Sequence, residues 1–180
     1  MIKKIAIVIT LISTIILIPF LSSYLTENNY VQVKQEIASP VFDSYDEKYL
    51  LVYFGYVGCI DICTPRLTEI SSAYNKLKAA NIDVGVVFIN LSKIDDPESA
   101  DLFAKSFNKN FKGIYPEKKQ LESVKKEFKV YSALRLGDSY EMDHTSFLYL
   151  LKKNESKYNL NIIYTTIPLD QAVHITEFTN

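Results

Sequence analysis

Two short apolar runs, Tyr49-Leu-Leu-Val-Tyr-Phe-Gly55 and Val84-Gly-Val-Val-Phe-Ile89, flank a stretch of helical periodicity. That order constrains the fold more than any other feature of the chain. Each run is too short for a helix and has no polar face, so each reads as a strand buried on both sides. Between them Leu67, Ile70, Tyr74 and Leu77 recur at helical spacing. Thr64 as cap and Pro65 in the first turn suit the helix start, and Asn81 suits its end. Two buried strands joined by one helix should lie parallel, with a right-handed crossover.

The remaining segments extend this unit. Asp95 and Asp96, ahead of Pro97, are expected to cap a second helix with Ala100, Phe103, Ala104 and Phe107 on one face. A third helix is expected from Pro116 to Phe128, with Leu121, Val124 and Phe128 inward. Thr145–Leu151 and Leu160–Tyr164 read as a strand pair joined by the polar turn Lys152 to Asn159. Leu169 to Phe178 reads as a short closing helix. A hairpin added to a parallel pair makes the sheet mixed. The predicted class is therefore α/β, a thioredoxin-like three-layer fold, preceded by an N-terminal membrane helix.

That last element rests on Lys3 and Lys4 followed by a run without charge from Ile5 to Leu21. As a helix the run reaches about 25 Å, close to the thickness of a bilayer's hydrocarbon. The expected organisation is a signal or anchor helix over 1–21, a polar tether over 22–40, and one thioredoxin-like domain over 41–180. Basic residues stay on the cytoplasmic side, which puts the domain on the extracytoplasmic (periplasmic or equivalent) side. With Lys3 and Lys4 set aside, 18 basic residues face 21 acidic ones. A mildly acidic domain without a basic patch argues against nucleic acid as a partner.

Cys59 and Cys63 are the only cysteines. They lie where the first buried strand gives way to its helix, a place that stabilises thiolates. Their C-x3-C spacing is one residue longer than the usual redox pair, and it leaves metal binding, thiol exchange and a plain disulfide all open. His144 precedes the third buried strand, at an edge of the sheet that could face the cysteine loop. Two sulfurs and one imidazole suit Cu(I), and with a further ligand Cu(II), while structural zinc favours a closed set of four. Asp143 could orient the imidazole or simply be solvated. Asp61, Met142 and His174 read as loop, packing and surface residues.

Tyr53-Phe-Gly-Tyr-Val-Gly-Cys-Ile-Asp-Ile-Cys63, with Met142-Asp-His-Thr-Ser146 some eighty residues later, resembles the Sco/SenC family over about residues 40 to 180. The resemblance implies a thioredoxin-fold copper protein that assists the copper site of cytochrome c oxidase, with a thiol-reductase role also proposed. By position its ligands fall on Cys59, Cys63 and His144. The chain departs from the family pattern at Ile60 and Thr64, where proline is usual, and at Asn90-Leu-Ser-Lys-Ile-Asp-Asp-Pro97.

The expected function is thus a membrane-tethered copper chaperone rather than an enzyme. Its expected partner is a copper-receiving protein, a cytochrome c oxidase subunit. The alternative is a thiol–disulfide oxidoreductase in which Cys59 and Cys63 form a redox disulfide. A peroxiredoxin-like peroxidase is weaker, because Arg66 and Thr64 alone do not make that cysteine environment.

Overall fold

The structure, a computed structural model, describes Ser13 and residues 30–165 except 94–95 and 138–140. Its strands are β1 (Tyr30–Ile37), β2 (Tyr49–Gly55), β3 (Val84–Asn90), β4 (Lys112–Ile114), β5 (Ser132–Leu134), β6 (Met142–His144), β7 (Leu148–Asn154) and β8 (Lys157–Tyr164). The helices are α1 (Cys63–Ala79), α2 (Pro97–Phe107) and α3 (Lys118–Phe128). Six strands form one sheet in the order β1-β8-β7-β2-β3-β4, and β5 and β6 form a separate ribbon.

The apolar runs are buried on both sides because the sheet has a core on each face. Tyr49, Leu51 and Tyr53 alternate with Leu50, Val52 and Phe54 along β2, and the two sets enter different cores. On one face α1 supplies Leu67, Ile70, Tyr74 and Leu77, and α2 supplies Ala104 with Phe103 and Phe107 packed alongside. On the other, α3 supplies Leu121, Val124 and Phe128, packed with Phe42 and Tyr45. Fully burying a Leu, Ile, Val or Phe side chain in this way stabilises the fold by about 1.5–3 kcal/mol relative to leaving it in water. β2 pairs parallel with β3 and antiparallel with β7, so the sheet is mixed and the thioredoxin-like plan holds.

Three local expectations need correction. The tether expected over 22–40 is, from Tyr30 to Ile37, an edge strand antiparallel to β8. Val31, Gln32, Lys34 and Glu36 face solvent while Tyr30, Val33, Gln35 and Ile37 turn inward, and a register shift between Gln32 and Gln35 blurs the alternation. The hairpin turn is shorter than Lys152 to Asn159. Asn154 pairs with Lys157, leaving Glu155 (φ 55°) and Ser156 as the turn. Strand length hid this, because Lys152 and Lys153 keep their ammonium groups near Tyr49 and Asp46 while their backbone stays in the ladder. Finally, Thr64 does not cap α1, which begins at Cys63.

The second helix keeps the expected cap, with Ser99 N–H donating to Asp96 Oδ1 at 2.8 Å. The membrane helix over 1–21 and the closing helix over 169–178 lie outside the described residues. No helix among the described residues is long and apolar enough to cross a membrane.

Candidate metal centre

The cysteine loop follows from the end of β2. Gly55 is needed there for space, since a Cβ on it would lie 2.7 Å from Cys63 Sγ and 2.9 Å from Phe88. Tyr56 to Cys59 then forms a β-turn, closed by Cys59 N–H donating to Tyr56 C=O at 3.3 Å. Gly58 occupies the third place with φ +85°, the sign that a type II turn demands and that glycine adopts freely. The buried Asn90 at the end of β3 accepts from Val57 N–H and Ser92 N–H, which joins this loop to the next one along the sheet.

The turn aims Cys59 at the first residue of α1. The first N–H groups of a helix lack partners, and here Cys63 N–H donates to Cys59 Sγ at 3.3 Å. The sulfur thus serves the terminus in place of a side-chain cap, while the Thr64 hydroxyl donates to Cys59 C=O at 3.0 Å. Both cysteines are free thiols, with Cys59 2 % and Cys63 0 % exposed. Ile60, by contrast, is 76 % exposed at the tip of the loop.

His144 arrives from the ribbon rather than from the main sheet. Its strand β6 pairs with β5, with Ser132 opposite His144. The sequence placed His144 at an edge of the sheet. The ribbon was not foreseen because β5 and β6 are three residues each and carry no clear alternation. His144 Nε2 lies 3.4 Å from Cys63 Sγ, and Nδ1 lies 3.0 Å from the Thr145 carbonyl. A carbonyl only accepts, so Nδ1 carries the ring proton and Nε2 presents its lone pair to the sulfurs. The three donor atoms lie within 4.8 Å of one another.

The sulfurs are electrostatically unequal. Contact with the Cys63 thiol is the main cause that holds Cys59 well below the ordinary thiol range. The backbone N–H groups of Cys63 and Ile62 add to it, against the opposing effect of burial. The same contact with Cys59, and then burial, push Cys63 upward. Within the pair the thiolate is thus favoured on Cys59 and the proton on Cys63. Behind them lies the buried hydroxyl of Tyr53, and burial, with Cys63 beside it, raises its pKa.

All three expected ligands thus meet in space. Asp143 does not support the imidazole; it forms an exposed ion pair with Arg135 at 3.0 Å. Asp61 is exposed, Met142 packs against both cores, and His174 lies outside the described residues. Residues that sequence reasoning missed are Gly55, Tyr56, Glu141 and the Thr145 carbonyl. Tyr56 is edge-on to the His144 ring, with centroids 5.8 Å apart, and its hydroxyl donates to Glu141 Oε2 at 2.6 Å. Nothing in spacing or periodicity marks such a pair, since 85 positions separate its members.

A family model described as SCO1/SenC matches residues 25–174. The chain belongs to this family. Among its relatives is a SCO2-like protein of Rickettsia prowazekii, 36% identical over 109 residues, which cover 58% of this chain and 53% of the relative. The chain spans about half the length of the curated relatives it matches. Among solved SCO1/SenC structures, Bradyrhizobium japonicum ScoI with copper bound superposes with TM-score 0.60 at 23% identity, covering 82% of this chain and 99% of that one. BsSco, described through its disulfide switch as one of the Sco family of cytochrome c oxidase assembly proteins, gives TM-score 0.56 at 20% identity. Here 83% of this chain and 92% of BsSco are covered. At such identities these two likenesses speak for the fold.

Proposed function

We propose that this protein is a copper chaperone, tethered to a membrane by residues 1–21, that serves assembly of the cytochrome c oxidase copper site. The observation that carries the proposal is the convergence of Cys59 Sγ, Cys63 Sγ and His144 Nε2 within 4.8 Å. Two soft sulfurs and a borderline nitrogen suit Cu(I), and the imidazole also lets the set hold Cu(II). Three protein donors leave room for an incoming ligand. Copper would leave by exchange, a recipient's donors replacing the sulfurs one at a time. Family membership and the copper-bound relative support the choice of metal, and the description of BsSco supports the choice of recipient.

The test titrates the full chain, in detergent, with Cu(I) under a competing chelator and separately with Cu(II). One copper per chain is expected, with thiolate-to-Cu(II) charge-transfer absorption. Zinc binding with no copper preference would overturn the assignment. Resistance of the chain to alkaline extraction from membranes tests the tether. Loss of assembled oxidase on deletion, restored by wild type but not by Cys59→Ser, tests the recipient.

A second reading rests on the unequal thiols. Cys59 is stabilised as a thiolate beside a protonated Cys63, the arrangement of a dithiol that attacks a partner's disulfide. Cys59 would bond to one partner sulfur and release the other as thiolate. Cys63 would then displace the partner, leaving a Cys59–Cys63 disulfide and a reduced dithiol. Burial of both sulfurs opposes it. Turnover of a disulfide substrate by metal-free His144→Ala protein would favour this reading over the chaperone.

A further inference from the structure

The ribbon that carries His144 stands outside the six-stranded sheet, so something other than the main ladder must set its distance from the sulfurs. Besides Met142, which packs against both cores, Tyr56 reaches across, three residues before Cys59. Its hydroxyl donates to Glu141 Oε2 at 2.6 Å, just ahead of β6, and its ring meets the His144 ring at 90° at the end of the same strand. One tyrosine therefore touches β6 at both ends. A short hydrogen bond to a carboxylate is among the stronger kinds, and Tyr56 is only 5 % exposed.

We propose that the Tyr56–Glu141 hydrogen bond is the clamp that holds His144 in ligating position, which makes Tyr56 and Glu141 positioning residues of the metal centre. The inference rests on the metal-binding reading for its purpose, although the clamp itself is a property of the metal-free chain. Thr145 C=O selects the ring proton's site, and the clamp sets where Nε2 points. Glu141 is half-buried and lines, with Tyr56, Leu91, Leu121 and Met142, a cavity of about 520 Å³. Replacing its carboxylate therefore need not disturb either core.

The decisive measurement is the 15N spectrum of His144 in the metal-free chain, together with Cu(II) affinity. In wild type one tautomer with unprotonated Nε2 is expected. Tyr56→Phe, which keeps the ring, and Glu141→Leu should both give averaged signals and bind Cu(II) about 10-fold more weakly. The double variant should be no worse than either single one, because both remove the same bond. Glu141→Gln, which keeps an acceptor oxygen, should stay close to wild type. Cu(I) affinity should change less than twofold throughout. Identical His144 signals in wild type and Tyr56→Phe, or additive losses in the double variant, would overturn the clamp. A wild-type chain that shows the single tautomer yet binds no copper would sink the copper reading alone.

Discussion

The two halves of the candidate metal centre are built in different ways. Its sulfurs sit at a strand–helix junction in the main core, fixed by a turn, a helix terminus and the space left by Gly55. Its imidazole sits half-exposed on a two-stranded ribbon, held by contacts to Thr145, Cys63 and Tyr56. A donor pair inside the core moves only if the fold moves. A donor on a small ribbon is placed by a few bonds and can yield without unfolding anything. The sulfurs should therefore govern whether metal is held, and the histidine should govern which oxidation state is favoured and how readily the metal leaves.

The largest effect should come from the sulfur half. Cys59→Ser or Cys63→Ser is expected to abolish stoichiometric Cu(I) binding in a chelator competition, and oxidation of the pair to a disulfide should do the same. Next comes Gly55→Ala, whose methyl would overlap Cys63 Sγ and Phe88. Overpacking of this kind costs about 1–3 kcal/mol, to be read from denaturant unfolding, and copper affinity should fall with it. A fully stable Gly55→Ala protein would mean that the sulfur half is less rigid than its packing implies.

On the imidazole side, His144→Ala should weaken Cu(II) more than Cu(I) and alter the charge-transfer band, while the unfolding midpoint barely moves. Unchanged Cu(II) spectra would remove His144 from the ligand set and erase the contrast. Calorimetry in buffers of different ionisation enthalpy should find roughly one proton released per copper near neutral pH, since Cys63 alone must give one up. The smallest effect belongs to Arg135→Ala. Its ion pair with Asp143 is exposed, so the change should stay within about 0.5 kcal/mol and leave metal binding untouched.

Much of this could be foreseen from the chain. The runs at Tyr49–Gly55 and Val84–Asn90, the face of α1 and the cap at Asp96 all carry local signals, and each appears where expected. The candidate ligands were legible too, because cysteine is scarce here and the motif around it is distinctive. Edge strand β1 was less so, since a strand that meets solvent need not be apolar.

Periodicity and the scarcity of sulfur were enough to specify a parallel β-α-β unit with two thiols at its junction, because burial and helix-terminus chemistry act over a few residues. That His144 meets those thiols depended on pairings far apart along the chain, β2 with β7 and Tyr56 with Glu141, besides the shorter-range pairing of β5 with β6. Such contacts leave no local imprint, as each partner is satisfied only by a group that folding brings from elsewhere. Tertiary structure alone decided that the imidazole would come from a ribbon, and which way its ring would turn.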